Sequence, residues 1–214
     1  MNDQERAEEH LKTIRRLMER ATIYRAISAP TALVGGMFSL VASAMYPLWR
    51  RHSASMDTPD NDRLFLWLWL LVLLFTFATN TLYIVAGAKR RNEPVFSPSM
   101  KAALIALTPP FLFAATITFC DVAVPGWNYG ISVVWAACYG LGLLATSHFA
   151  PRSLTLLGWA FFLSGIAGII LASSVGYWFD SLAAYPASLF MAVTFGLYHL
   201  IYAICVWPRD GSIP

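Results

Sequence analysis

Charged side chains are scarce in this sequence of 214 residues, where Asp, Glu, Lys and Arg make up 13% of the chain. An average soluble domain has roughly 25%. Six stretches contain none of these four residue types: Ala26–Trp49, Leu64–Ala88, Ala102–Cys120, Val122–Ala150, Ser153–Phe179 and Ser181–Pro208. Since about 20 helical residues cross the roughly 30 Å hydrocarbon layer, each stretch is long enough to span a membrane. The lack of charge excludes a soluble enzyme and a nucleic-acid-binding protein.

Cysteines and the common catalytic motifs are also few or missing. The three cysteines, Cys120, Cys138 and Cys205, have no CxxC spacing, and such a scattered set is typical of small packing residues. The sequence has no HExxH, GxSxG or GxxxxGKS/T motif. It therefore predicts no metal, no cofactor and no catalytic residue, and a protein that is not an enzyme.

The apolar runs predict helices, because barrel strands would alternate in polarity and residues 64–75 do not. The predicted fold class is an all-α membrane protein with six transmembrane helices in a bundle and an N-terminal cytoplasmic amphipathic helix. The spans are expected near residues 28–48, 64–87, 101–120, 129–148, 154–174 and 186–206. They form a transmembrane domain over residues 27–208, between the amphipathic helix at 1–26 and a cytoplasmic tail at 209–214.

The cations lie mainly on one side of the predicted membrane. Twelve of the 15 Lys and Arg residues fall on the side of the two termini, and only Arg50, Arg51 and Arg63 fall on the other. Cytoplasmic loops carry an excess of Lys and Arg. The sequence therefore predicts a multi-pass protein with both termini in the cytoplasm and the lipid bilayer as its first partner.

The residues before the first span follow a helical pattern. Ala7, Leu11, Ile14, Met18 and Ala21 repeat at steps of four and three, which places them on one stripe of a helix over residues 3–25. Two interpretations stay open. The helix lies on anionic headgroups, or it docks on a cytoplasmic partner or a second copy of the protein.

Two segments resemble a known group of proteins. The run at 14–21 with the following 27–36, and the closing Phe-Gly-Leu-Tyr-His-Leu-Ile-Tyr at 195–202, are similar to the opening and the last span of small six-span bacterial inner-membrane proteins. These segments cover about a fifth of the chain. The group has no established activity, so the resemblance implies a bacterial inner membrane and supplies no functional residues.

Small residues form two ladders with a spacing of four. They allow helix backbones to approach closely inside lipid. The members are Ala160, Ser164, Gly168, Ala172 and Gly176 in the fifth span, and Thr31, Gly35, Ser39 and Ser43 in the first. We interpret Gly35, Ser39, Ser164, Gly168 and Ala172 as helix-packing residues, either within one bundle or at an intermolecular face.

Polar residues inside the spans are the main indication of a ligand site. Asn80, Thr108, Tyr139, His199 and the Gly35–Gly36 pair all lie about seven to nine residues from the predicted cytoplasmic ends, which is roughly 10–14 Å deep. This layer predicts a small pocket with His199 and Asn80 as its hydrogen-bonding centre. The candidate ligand-binding residues are His199, Asn80, Tyr139, Tyr83, Thr108 and Thr76. The alternative is that these groups only join helices by hydrogen bonds.

Three functions follow from these features. The first is a non-catalytic protein with a structural or regulatory role, such as an accessory subunit that binds a membrane-protein partner or forms a homo-oligomer. The second is a small-solute channel or facilitator that uses the layer at Asn80, Tyr139 and His199. The third is a haem- or quinone-binding electron-transfer component, although the second intramembrane histidine, His148, lies about one and a half turns shallower than His199.

Overall fold

The computed structural model describes residues 4, 6, 8–10, 29–52, 59–92, 95, 98–123, 128–148, 150–175 and 186–207. Nearly all of these residues are helical, and these ranges contain no β-strand, which confirms the all-α class. The first five helices are α1 Ala29–His52, α2 Pro59–Arg91, α3 Pro98–Ala123, α4 Asn128–Ala145 and α5 Arg152–Val175. The last span has three consecutive segments, which are α6 Pro186–Met191, the π-helical π1 Ala192–Tyr198 and α7 His199–Val206.

Prolines mark where the helices begin. The first residues of α2, α3 and α6 are Pro59, Pro98 and Pro186, the second residue of α1 is Pro30, and Pro151 directly precedes α5. The proline ring fixes φ near the helical value, and the first turn of a helix needs no backbone N–H. Three further prolines, Pro47 in α1 and Pro109 and Pro110 in α3, lie inside helices, so a proline alone does not mark a helix start.

The residue that follows α2 accounts for the end of that helix. Asn92 follows the helix with a φ of 53°, and its backbone N–H donates to the carbonyl of Lys89 at 3.2 Å. Asparagine adopts this left-handed conformation more readily than most residues, and the conformation closes a helix by satisfying one of its last carbonyls.

Five spans are long and apolar enough to cross a membrane: Ala29–Trp49, Arg63–Arg90, Met100–Cys120, Arg152–Ser173 and Pro186–Val206. The molecule is therefore an integral membrane protein. The predicted number of six spans depends on α4, whose apolar part is the shorter Tyr129–Ala145. At 1.5 Å per residue this part is about 26 Å long, close to the lower limit for crossing the hydrocarbon layer.

The helix α4 ends three residues before the predicted position 148. The N–H groups of Thr146 and Ser147 donate to the carbonyls three residues back, at 3.1 and 3.0 Å, and the Thr146 hydroxyl donates to the Leu143 carbonyl at 2.7 Å. These tighter bonds satisfy the last carbonyls of the helix and begin a turn. His148 consequently lies exposed in that turn and not in a span.

Most of the predicted amphipathic helix at 3–25 and the whole tail at 209–214 lie outside the described residues. Gln4, Arg6 and the segment 8–10 are helical and exposed.

The packing has a centre and two flanks. The centre consists of α1, α4, α5 and the last span, with α1 against the last span and α4 against α5. On the flanks, α2 lies mainly against α1 and α3 lies against α4. In the α2 span Arg63–Arg90 four of 28 residues are buried, and in the α3 span Met100–Cys120 one of 21 is buried. In the spans of α1, α5 and the last helix, nine of 21, six of 22 and seven of 21 residues are buried.

Two apolar clusters fill the bundle, one toward the end where α1 begins, here called the Ala29 end, and one toward the opposite His52 end. The cluster near the Ala29 end contains Ala32, Ala136, Leu143, Leu154, Leu157, Phe161, Tyr202 and Ala203. The cluster near the His52 end contains Ala42, Tyr46, Phe65, Leu66, Trp69, Ile131, Ala187 and Met191. The many alanines agree with close packing as the force that joins helices in lipid.

Candidate functional site

The site with the most converging polar and aromatic groups surrounds His199, at the junction of π1 and α7. A π-helical segment changes the hydrogen-bond register of the backbone. The backbone N–H of His199 donates to the carbonyl of Gly196. The His199 ring bonds to the carbonyl of Phe195, with 2.9 Å between Nδ1 and the Phe195 oxygen.

The bond between Nδ1 and the Phe195 carbonyl determines the tautomer of the neutral His199 ring. Because a carbonyl only accepts, Nδ1 carries the proton and donates it to Phe195. Nε2 is then an acceptor, and it receives the hydroxyl of Tyr139 on α4 at 3.0 Å. Both ring nitrogens are thus paired, and the second bond joins α4 to the last span.

Aromatic rings enclose the imidazole. The ring centroid of Phe161 on α5 lies 5.3 Å from that of His199 in an edge-on arrangement, and Phe195 stacks at 6.2 Å. The ring of Tyr139 contacts Phe161 at 4.7 Å and Phe195 at 5.5 Å. The site is a closed cluster built from α4, α5 and the last span, and we call Tyr139, Phe161, Phe195 and His199 the histidine cluster.

Glycines bring α1 close to the histidine cluster. A Cβ built on Gly36 would lie 3.0 Å from both the Gly196 carbonyl oxygen and the Leu200 side chain. A Cβ on Gly35 would lie 2.9 Å from the Thr76 methyl group of α2. Gly35 and Gly36 therefore lie at the depth of π1, and Thr76 lies at that depth on α2.

The remaining predicted ligand residues lie away from His199. Asn80 follows Thr76 by one helical turn toward the Ala29 end, is half-buried, and forms no hydrogen bond with any described residue. Tyr83 is exposed on α2. Thr108 is exposed on α3, where its hydroxyl donates to the Leu104 carbonyl of the same helix at 2.8 Å. The structure thus joins Tyr139 with His199 and leaves Asn80, Tyr83 and Thr108 on the flanking helices.

The predicted packing residues divide in a similar way. Ser39 is buried, and the Ser164 hydroxyl donates to the Ala160 carbonyl and accepts from the Tyr198 hydroxyl, both at 2.8 Å. A Cβ on Gly168 would lie 2.7 Å from Val133 of α4. Ala172, in contrast, is exposed.

Among the described glycines, the closest helix contact involves residues that the ladders do not include. A Cβ on Gly140 of α4 would lie 2.5 Å from the backbone nitrogen of Phe162 and 2.7 Å from the carbonyl oxygen of Gly158, both on α5. A Cβ on Gly165 would lie 2.7 Å from Ala137. The spacing of seven between Gly158 and Gly165 is the sequence signal that could have indicated this face.

This geometry limits what the histidine cluster does chemically. A haem or metal ligand needs a free imidazole nitrogen, and both nitrogens of His199 are engaged. The described residues contain no group of three His, Cys, Asp or Glu side chains placed to hold a metal ion. What the geometry supports directly is a polar connection between packed helices.

No protein family, no curated protein and no solved structure matches this chain. A functional proposal for it therefore depends on the geometry of the described residues.

Proposed function

We propose that this integral membrane protein is a non-catalytic subunit of a membrane assembly, with a structural or regulatory role, in the cytoplasmic membrane of a bacterium. The observation that carries the proposal is the uncovered surface of α2 and α3. The α3 span has one buried residue and the α2 span has four, of which Phe65, Leu66 and Trp69 lie near the His52 end. Residues 70–87 of α2 and nearly all of α3 therefore contribute little to the core of their own bundle. A partner in the membrane would give this surface a function.

A local feature of α3 supports a protein partner over lipid alone. Pro109 and Pro110 have no N–H, so the carbonyls of Ile105 and Ala106 lose their usual backbone donors. The Ile105 side chain is 72% exposed, so this turn faces out of the bundle. Lipid chains offer no hydrogen-bond donor, and an unpaired carbonyl in the hydrocarbon layer is costly. A polar side chain of a neighbouring protein supplies the missing donor.

The bacterial inner membrane follows from the resemblance of residues 14–21 and 195–202, and the orientation follows from the cations. With twelve Lys and Arg residues against three, both termini and the Ala29 end of the bundle belong to the cytoplasm.

Photo-crosslinking in the native membrane tests the proposal. The photoreactive residue p-benzoylphenylalanine replaces Phe77 of α2 or Leu112 of α3, both 65% exposed, and in a matched control it replaces Leu156 of α5, which is 69% exposed. We expect adducts with protein at Phe77 or Leu112 and adducts with lipid only at Leu156. Native mass spectrometry from the same membranes should report a fixed number of chains.

Two results together would contradict the proposal. They are lipid adducts alone at all three positions and the mass of a single chain in native mass spectrometry.

A further inference from the structure

We propose that a second copy of this chain packs against α2 through a stripe of five residues: Leu73, Phe77, Asn80, Ile84 and Gly87. We call these residues the α2 stripe. This inference rests on the proposed function and names the partner that covers α2.

The position of Asn80 is the first argument. The apolar span Arg63–Arg90 is about 42 Å long at 1.5 Å per residue. Asn80 lies within four residues of its midpoint, about 5 Å from the centre of the hydrocarbon layer. Its amide forms no hydrogen bond with any residue that the structure describes. An unpaired amide at this depth is costly, because lipid offers it neither donor nor acceptor.

The polar residues next to Asn80 have hydrogen-bond partners. The hydroxyls of Thr79 and Thr81 donate to the carbonyls of Phe75 and Phe77 at 2.8 Å, so their own helix satisfies them. A carboxamide has two N–H donors as well as an acceptor, and the helix backbone around Asn80 offers its side chain no comparable set of partners. Asn80 is therefore the side chain on this part of α2 that calls for a partner from outside.

The face that carries Asn80 is built for contact with protein. The α2 stripe has steps of four, three, four and three, the spacing of a helix that packs against another helix. The same face continues toward the His52 end through Leu66 and Trp69, which are fully buried in the bundle. In the other half the bundle covers it only in part: Leu73 and Phe77 are 56 and 65% exposed, and Asn80, Ile84 and Gly87 are partly buried.

A second copy is the partner that fits this face. Two copies share one orientation in the membrane, so a two-fold axis along the membrane normal places both Asn80 side chains at the same depth. The amide group of each Asn80 then donates to the side-chain carbonyl oxygen of the other. Any other partner would have to supply a polar group at the centre of the layer, whereas symmetry supplies it here. A single Asn in an apolar seam also fixes register and oligomeric state.

Disulfide crosslinking in membranes tests the inference, in a variant that carries Cys120→Ser, Cys138→Ala and Cys205→Ala. A cysteine replaces Phe77 on the stripe or, as the matched control, Leu82, which is 70% exposed and about 140° away from Phe77 around α2. On mild oxidation we expect most chains with Phe77→Cys to become covalent dimers, and at least fivefold fewer with Leu82→Cys. Equal dimer yields from the two positions would overturn the inference.

The role of Asn80 needs a second variant. Adding Asn80→Leu should weaken dimerisation about tenfold, because two hydrogen bonds between helices are lost. It should leave the thermal unfolding of the monomer in detergent nearly unchanged. Undiminished dimerisation would overturn the part that we assign to Asn80.

The experiment also separates this inference from the proposed function. If photo-crosslinks from Phe77 capture a different protein and Phe77→Cys forms no dimer, the subunit proposal stands and the second copy is ruled out.

Discussion

The imidazole of His199 connects helices through both of its nitrogens. Its bond to Tyr139 joins α4 to the last span, and Phe161 of α5 packs edge-on against the ring. Interhelical hydrogen bonds in membranes contribute about 0.6 kcal/mol on average, with a maximum of about 1.7 kcal/mol. The aromatic contacts add to this, so the histidine cluster stabilises the bundle mainly by packing.

A double-mutant cycle between Tyr139 and His199 measures that bond. We expect Tyr139→Phe to cost about 1 kcal/mol, because it leaves the acceptor Nε2 unpaired. Combined with His199→Leu, it should give a coupling energy of about 0.6–1.7 kcal/mol. The free energy of unfolding in detergent or bicelles is the quantity to measure.

The control for this cycle is Tyr198→Phe. The Tyr198 hydroxyl bonds to Ser164, whose own hydroxyl still donates to the Ala160 carbonyl after the substitution. We expect a smaller cost and a coupling to His199→Leu close to zero. A coupling for Tyr139 no larger than for Tyr198 would contradict a direct hydrogen bond.

The sequence predicts part of the histidine cluster. Its depth count places Tyr139 and His199 in one layer, and the structure joins them. It does not predict the bond between the His199 ring and the carbonyl of Phe195, nor that Phe195 lies in a π-helical segment. It also groups Asn80 with them, because depth alone does not tell which neighbour a helix face meets.

Among the elements, α4 and α5 form the tightest pair, and their contact is backbone against backbone. Gly140 lies over Gly158 and Phe162 so closely that no Cβ fits at the observed separation. A neighbouring glycine of α4, Gly142, instead faces side-chain ends of α3, with Leu107 Cδ2 at 2.9 Å and Phe111 Cε2 at 3.1 Å from a built Cβ.

The two glycines of α4 should therefore respond differently to alanine. Gly140→Ala forces two backbones apart, and we expect a loss of about 1–3 kcal/mol in the free energy of unfolding. Gly142→Ala needs only a shift of flexible side chains, and it gains up to about 1 kcal/mol of helix propensity. It should change stability by no more than about 0.5 kcal/mol.

Thermal unfolding of both variants in the same detergent checks this difference. Each adds one methyl group to the same helix, so the comparison cancels the effect of propensity. If Gly142→Ala proved as destabilising as Gly140→Ala, the tight contact would not lie between α4 and α5.

The small-residue ladders show why such contacts are hard to predict. A ladder on one helix, such as Ser164 and Gly168 on α5, indicates that a close neighbour exists. It does not identify the neighbour or the register. The closest contacts are Gly140 with Gly158 and Gly165 with Ala137. To predict them, one has to know which two helices pack together and in which register.

For the whole molecule, the sequence predicts the all-α class and five of the six expected spans well, because both depend on the lipid that surrounds the helices. Lipid requires long uncharged helices whose backbone groups are hydrogen-bonded within the helix. Such runs can be recognised in the sequence alone. The spans begin at prolines such as Pro59 and Pro186, which are equally visible. The sequence does not predict that α2 and α3 lie at the flanks of the bundle. Every span is similarly apolar, whether it faces lipid or protein.

The orientation of the whole molecule is a prediction that thiol labelling tests. In the variant without native cysteines, a cysteine is introduced at Ser55 in the first loop or at Ser212 near the carboxyl terminus. Because the cations of this chain lie mainly on the side of its termini, we expect that side to face the cytoplasm. A membrane-impermeant maleimide added to intact cells should therefore label Ser55→Cys and should reach Ser212→Cys only after the membrane is permeabilised. Labelling of Ser212→Cys in intact cells would contradict this orientation, and the Ala29 end of the bundle would then face outward.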